Sequence, residues 1–401
     1  MSAAPDPPDE AKRESSASLR EVAGLFLKLG VISFGGPAAH IALMREEVVR
    51  RRHWVSGEQF LDLLGASNVI PGPTATELAI YLGYVRSGWR GLVLGGTLFV
   101  LPAMLTTLVL AWAYVRYGSL PQALWILGGI KPVIVAIIVI ALWGLAKSAV
   151  KDALLGAIGL LALALYLFGF NPISLLFGGG VIVLLARHAP RGWPTAGKAL
   201  VLVALGAPSL AAQTAGMPLQ YGLGTLFLTF LKIGCVVYGS GYVLLAFVRT
   251  DFVDRLHWLT DQQLLDAVAV GQFTPGPVFT TATFIGYLAG GTPGAVAATV
   301  GIFLPSFVFV AAAYPLLGWL RRSAWTGAFL DGVNVAALGL MAAVSWELGR
   351  TTIVDPFSAT LAVVTLAVLV RFKINSAWLV VGGAIAGVGY HLLTGPGWRP
   401  P

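Results

Sequence analysis

The apolar positions of this chain fall in long stretches that follow neither a helical stripe nor a strand alternation. Val133–Ala146 contains no charged residue, and Ala359–Val370 is broken only by two threonines. Such runs suit membrane-spanning helices, which need about 20 largely apolar residues. They exclude an outer-membrane barrel, whose strands alternate over roughly 10 residues. Between Val22 and Leu393 there is room for about ten spans.

Gly, Pro and charged residues sort these runs into elements. A first apolar segment at about 20–44 is followed by a Gly/Pro-interrupted hairpin at about 58–86 and by spans near 90–115, 131–149, 151–168 and 172–187. The series returns near 222–248, 261–289, 293–319, 333–349, 356–371 and 376–393. The return is a repeat in the residues themselves. Phe26 to Pro73 matches Phe230 to Pro277 without a gap at an offset of 204. Phe26-Leu27-Lys28 pairs with Phe230-Leu231-Lys232, His53-Trp54 with His257-Trp258, and Pro71-Gly72-Pro73 with Pro275-Gly276-Pro277. One residue is then lost, and Leu101-Pro102 pairs with Leu304-Pro305. The expected organisation is a disordered polar tail at 1–18, a first half at 19–187, a linker at 188–218 and a second half at 219–394.

A re-entrant hairpin leaves five crossings per half. An odd number turns the second half upside down, which is the inverted-repeat plan of many secondary transporters. Charge agrees with this arrangement. One face collects Arg45, Arg50, Arg51, Arg52, Arg86, Arg90, Lys147, Lys151, Arg187, Arg191, Lys198, Arg321, Arg322, Arg371 and Lys373, while the other holds Arg116, Lys131, Arg249, Arg255, Arg350 and Arg399. The positive-inside rule makes the first face cytoplasmic. An alternative stays open, in which Gly35-Gly36-Pro37 breaks the first segment into a second re-entrant hairpin and leaves the tail on the cytoplasmic side.

Composition sharpens the class. Of 401 residues 57% are hydrophobic and 11% charged, whereas soluble domains carry about a quarter charged. The net charge of +8 sits in short loops where topology alone places it, so no nucleic-acid partner is expected. Cys235 is the single cysteine and lies in an apolar run, which excludes an intrachain disulfide or a Cys-rich metal centre. The five histidines lack metal-ligand spacing. Gly192-x4-Gly197-Lys198 is followed by Ala199 where a phosphate-binding loop needs Ser or Thr. No enzyme, metal or cofactor is expected.

Two breaks recur in each half: Gly35-Gly36-Pro37 with Gly239-Ser240-Gly241, and the two Pro-Gly-Pro triplets. Irregular backbone at membrane depth is tolerated only where it is buried or lines a cavity. The half-helix that follows each triplet begins with free N–H groups and the positive end of its dipole, which makes an anion site. Ser33, His40, Asn68, Thr74 and Thr76 surround the breaks of the first half, and Ser240, Gln272, Thr274, Thr280 and Thr281 those of the second. Lys28 and Lys232 stand inside matched apolar segments, where each either holds an anion or snorkels to the interface. Glu77, opposite uncharged Thr281, is either a proton-coupling carboxylate or a structural acid paired with an arginine. Arg45, Glu47 and Arg249 are candidates for anion entry or gating in a loop that otherwise reads as a solvated face.

Phe26-Leu27-Lys28-Leu29-Gly30-Val31-Ile32-Ser33-Phe34-Gly35-Gly36-Pro37, with Arg45-Glu46-Glu47, His53-Trp54 and Pro71-Gly72-Pro73, resembles the chromate ion transporter family in its long, two-domain form. The resemblance covers both halves. It implies a bacterial inner-membrane protein that exports chromate, with resistance as the consequence and sulfate as the competing look-alike. Its partners are then the anion and the lipid bilayer, and the basic face is compatible with a homodimer. In the second half Ser240-Gly241 replaces Gly36-Pro37, and Val243-Leu244 replaces Ala39-His40.

Overall fold

The computed structural model describes residues 7–34, 36–118, 120–188, 222–238, 241, 243–314, 324–372, 374 and 376–394. The expected linker beyond His188 lies outside the described residues, as do Gly35, Gly239 and Ser240. All regular structure among the described residues is helical. The first half comprises α1 (Pro7–Ile32), α2 (Pro37–Arg45) extended by a π-helical turn (Glu46–Arg51), α3 (Gly57–Ser67), α4 (Thr74–Tyr117), α5 (Pro121–Ala149), α6 (Ala153–Leu167) and α7 (Pro172–His188). The second comprises α8 (Leu223–Val236), α9 (Leu244–Val248) with a π-helical turn (Arg249–Arg255), α10 (Asp261–Phe273), α11 (Thr281–Ala313), α12 (Ala324–Thr352), α13 (Pro356–Phe372) and α14 (Ser376–Thr394). Each helix of the second half repeats the one seven places earlier. The polar stretch expected to be a tail is helical from Pro7, as its Ala, Glu, Lys and Arg content favours.

Local signals repeat with the fold. α3 opens on a capping box of Ser56 with Gln59, and α10 on Thr260 with Gln263, each satisfying two terminal N–H groups. The π-helical turns lead into His53 and His257, both left-handed at φ 51° and 53°.

The first apolar segment folds back. Lys28 Nζ donates to Glu47 at 2.7 Å, Arg86 to Glu21 at 2.7 Å and Ser87 Oγ to Ser18 at 2.9 Å. Arg86 also stands over the Trp54 ring. A straight 20–44 helix would hold Lys28 and Glu47 almost 30 Å apart at 1.5 Å per residue. The start of α1, Trp54 and the Ser87 turn therefore share one face, and α1–α2 is the second re-entrant hairpin. Its reversal is built by Gly36 at φ 81° with Pro37 as the first residue of α2.

α4 is itself two antiparallel arms that reverse at Ser87-Gly88, and α11 does the same at Gly290-Gly291. The arms pack at backbone distance: a Cβ on Gly83 would stand 2.2 Å from Gly91 O, and one on Gly286 2.4 Å from Gly294 O. Each half thus holds two re-entrant hairpins, and only the second arm of α4 or α11 and the three helices after it run end to end. Five helices are long and apolar enough to cross a membrane by length and composition alone, among them Pro121–Ala149 and Trp325–Thr352.

The halves are inverted, and contacts between them show it without any appeal to an odd count. At one face His188 stacks on Trp325, Arg187 bonds Asp331 at 2.8 Å and Tyr84 meets Tyr314. At the other Trp125 stacks on His391, Tyr166 meets Thr250 and Arg249 bonds Glu347. The end of α7 thus lies beside the start of α12, and the start of α5 beside the end of α14. Small residues bring these helices together, because lipid offers no hydrophobic drive for association. A Cβ on Gly129 would stand 2.0 Å from Gly383 O, and one on Gly332 2.2 Å from Gly179 O.

Candidate functional site

The two Pro-Gly-Pro triplets end the inward arms of α3 and α10 and meet at the centre of the molecule. Each is completed by the opposite half. Gly72 N donates to Val237 O at 2.8 Å, and Gly276 N donates to Ser33 O at 2.8 Å. Ser33 and Val237 are themselves separated by the repeat offset, so the two bonds are one contact made twice around a pseudo-two-fold axis. Gly72 at φ 140° and Gly276 at φ 91° adopt backbone that side chains disfavour. A Cβ on Gly72 would strike Glu77 Oε1 at 2.2 Å and Ser306 Oγ at 2.5 Å, whereas one on Gly276 would meet the Ala103 methyl at 2.8 Å.

A small cavity lies between the tips, lined by Pro37, His40, Pro73, Thr74, Ala75, Gly241, Pro277, Val278 and Phe279. Its volume of about 20 Å³ holds about one water. α4 begins at Thr74 behind Pro73 with no side-chain cap, so the start of its dipole faces this cavity. His40 Nε2 donates to Ser33 O at 3.1 Å, which holds the ring edge-on to Phe99. Thr74 Oγ1 reaches Asn68 at 3.4 Å.

A vestibule of about 570 Å³ adjoins the cavity and shares Pro37 and Thr74 with it. Ile41, Asn68, Tyr238 and Val243 line its inner part, with Asn334, Leu145 and Leu338 beside them. Lys151 and Asp331, joined at 2.7 Å, line it at the face that carries Arg45, Arg50, Arg51 and Arg86. The opposite side is shut. There α10 packs on α5, α12 and α14, whereas α3 packs mainly on α4 of its own half.

The other expected residues take different places. Lys28 is paired with Glu47, and Lys232 with Asp251 at 2.6 Å; neither lysine lines the cavity or the vestibule. Glu47 also holds Arg51 and Arg52 at 3.3 Å each, which with Lys28 keeps its carboxylate below the usual range. Arg45 is exposed, while Arg249 is clasped by Asp254, Asp261 and Glu347. Glu77 is fully buried against Gly72 and faces Ser306, and neither of its oxygens is within bonding geometry of a partner among the described residues. Gln272 and Thr274 are buried beside the second tip, with the Thr274 hydroxyl bonded to Gly271 O. Pro71 and Pro275 flank the tips outside the cavity lining. Gly36 shapes the α2 reversal, and only Gly241 of its repeat triplet can be placed.

The motifs did not point to Ala75, Val278, Phe279, Tyr238 or Asn334. Tyr238 carried a signal, since it aligns with Phe34 immediately before the break.

The family model described as Chromate transporter matches residues 20–184 and again 224–388. The chain is 37% identical over 400 residues to the chromate transport protein of Cupriavidus metallidurans, covering 97% of this chain and 99% of that one. It is 34% identical to the probable chromate transport protein of Synechococcus elongatus, over 92% of this chain and 95% of the relative. It is also 34% identical to the chromate transport protein of Pseudomonas aeruginosa, over 90% of each. No solved structure matches it. Two matched halves, fused in opposite orientation around paired Pro-Gly-Pro tips, thus coincide with two copies of one transporter domain, and the chain belongs to the chromate transporter family.

Proposed function

We propose that this protein exports chromate from the cytoplasm across the bacterial inner membrane by alternating access around the cavity between the two tips. The reciprocal bonds from Gly72 to Val237 and from Gly276 to Ser33 carry this reading. They bring two broken-helix tips from inverted halves to one point at the inner end of a vestibule. The first turn of α4, Thr74 and Ala75 behind Pro73, supplies backbone donors and a dipole for the oxyanion. Thr74 adds a hydroxyl, and His40 braces the Ser33 carbonyl that receives the Gly276 N–H. Pro277 and Val278 close the site from the second half. The cavity has to widen to admit a tetrahedral anion, and opening of the tips provides that volume.

The vestibule opens on the basic face, which the positive-inside rule makes cytoplasmic, so this is the loading conformation of an exporter. Lys28 and Lys232 act by fixing the hairpins through their acid partners. Arg45 contributes to the entry potential, and Arg249 is a structural cation. Outward movement of a dianion through an inside-negative potential releases about 2 × 2.3 kcal/mol per 100 mV. At about 1.4 kcal/mol per tenfold this sustains a gradient on the order of a thousandfold. Export therefore runs on the membrane potential alone.

The test is accumulation of labelled chromate in inverted vesicles with an imposed potential and sulfate as competitor. Saturable, potential-driven accumulation that excess sulfate suppresses is the expected result. Sulfate flux without chromate flux would replace the substrate, and flux linear in concentration would replace alternating access with a channel.

A further inference from the structure

The open vestibule has a filled counterpart on the opposite face. An offset of 203 residues maps α5 onto α12, and one of 204 maps α3 onto α10. Under these offsets Asn334 and Leu338 of the vestibule correspond to Lys131 and Val135, and Leu145 corresponds to Leu348. Lys131, Val135 and Leu348 are all buried. On the hairpins, Leu61 is 54% exposed while its counterpart Leu265 is fully buried.

The filled side is held by a specific cluster. Asp266 on α10 receives the Tyr114 hydroxyl at 2.8 Å and lies 3.7 Å from Lys131 Nζ on α5, which also donates to Gln262 at 2.5 Å. Lys131 and Asp266 are 6% and 3% exposed. The same positions on the open side are Asn334, which is exposed, and Asp62, which is half-buried.

We infer that Lys131, Asp266 and Tyr114 form the latch of the outer face, and that Asp62 and Asn334 form its counterpart on the basic face, meeting when the vestibule closes. The inference rests on the alternating-access reading. The two latches differ in kind. The outer one joins opposite charges across two halves, whereas the inner one joins a carboxylate to a neutral amide, so the pair favours the state with the basic face open. Asparagine at position 334 in place of lysine thus sets the resting bias of the transporter.

Full-length protein with Cys235→Ser as background and a single reporter, either Leu61→Cys or Leu265→Cys, tests the assignment. An impermeant maleimide is applied to intact cells and to inverted vesicles in the absence of any transported anion. Asn334→Lys installs the missing charge opposite Asp62. It should slow labelling at position 61 and speed labelling at position 265, each about tenfold when the minor state becomes the major one. Lys131→Asn should shift both rates in the same directions. Unchanged rates in the Asn334→Lys protein overturn the assignment. A rise at both positions overturns it as well, because general loosening is not reciprocal. The readout contains no chromate, so a wrong substrate would leave it intact, while a channel would label at both positions at once.

Discussion

Leu61 and Leu265 stand at the same point of two matched hairpins, yet one is largely exposed and the other is fully buried where α10 packs on α5, α12 and α14. The repeat position alone therefore does not set burial here, and under the proposed alternating access the burial follows the conformational state. A second contrast is chemical. His40 answers Leu244, Glu77 answers Thr281, and Ser306 beside the first tip answers Ala103 beside the second. The first-half tip carries ionisable side chains, while the second keeps only neutral polar ones such as Gln272, Thr274 and Thr281.

The largest effect that separates the tips should come from their central glycines. Gly72→Leu forces a side chain into backbone at φ 140° and into Glu77 and Ser306. Strain and collision together should cost several kcal/mol, and chromate flux in vesicles should fall about a hundredfold. Gly276→Leu meets a single methyl first, so a loss of about tenfold is expected; near-normal flux in correctly inserted Gly72→Leu protein would remove the tip from the pathway.

A control comes from contacts between rigid helices. Gly129→Val and Gly332→Val crowd equivalent crossings, where a Cβ would stand 2.0 Å and 2.2 Å from the facing carbonyl. Both should lose about 1–3 kcal/mol in detergent melting, and to the same extent. Unequal losses would mean that the helical frames, and not only the hairpins, differ between the halves.

The two lysine pairs should differ in the direction opposite to motif completeness. Without Lys28, Glu47 keeps Arg51 and Arg52, whereas without Lys232 Asp251 keeps only Arg255 at 3.5 Å. Lys232→Ala should therefore lower the melting temperature more than Lys28→Ala, with both effects near 1 kcal/mol because each lysine is half-exposed. Equal effects on stability with a large loss of anion binding in Lys28→Ala would return that lysine to the site.

The smallest effect is assigned to Glu77→Gln. If potential alone drives export, flux should stay within about twofold of the parent, equivalent to about 0.4 kcal/mol. Loss of transport with chromate binding retained would make Glu77 a coupling group.

Much of this organisation was legible in the residues. The ungapped match of 26–73 with 230–277 dictated two similar halves, and the Pro-Gly-Pro triplets marked their hairpin tips. The fold-back of α1–α2 was not fixed, because Gly36-Pro37 reads equally as a kink in a straight span and as a reversal. A signal for it was present. Lys28 and Glu47, like Lys232 and Asp251, are acid–base pairs 19 residues apart in both halves, a spacing that only a folded-back segment closes. Which vestibule is open was not marked by the motifs, since Asp62 and Asp266 are the same residue type and the difference between Lys131 and Asn334 lies outside the matched block.

The crossed bonds between each tip and the other half's broken helix have an evolutionary consequence. A single half leaves Gly72 N without its acceptor, so a protein made of one half needs a partner half in the opposite orientation, in the simplest case a second copy of itself. In such a dimer every substitution appears twice, and the two tips must stay identical. Fusion into one chain fixes one copy of each orientation and frees the tips to diverge, which is how His40 can face Leu244 and Glu77 can face Thr281 across a common axis.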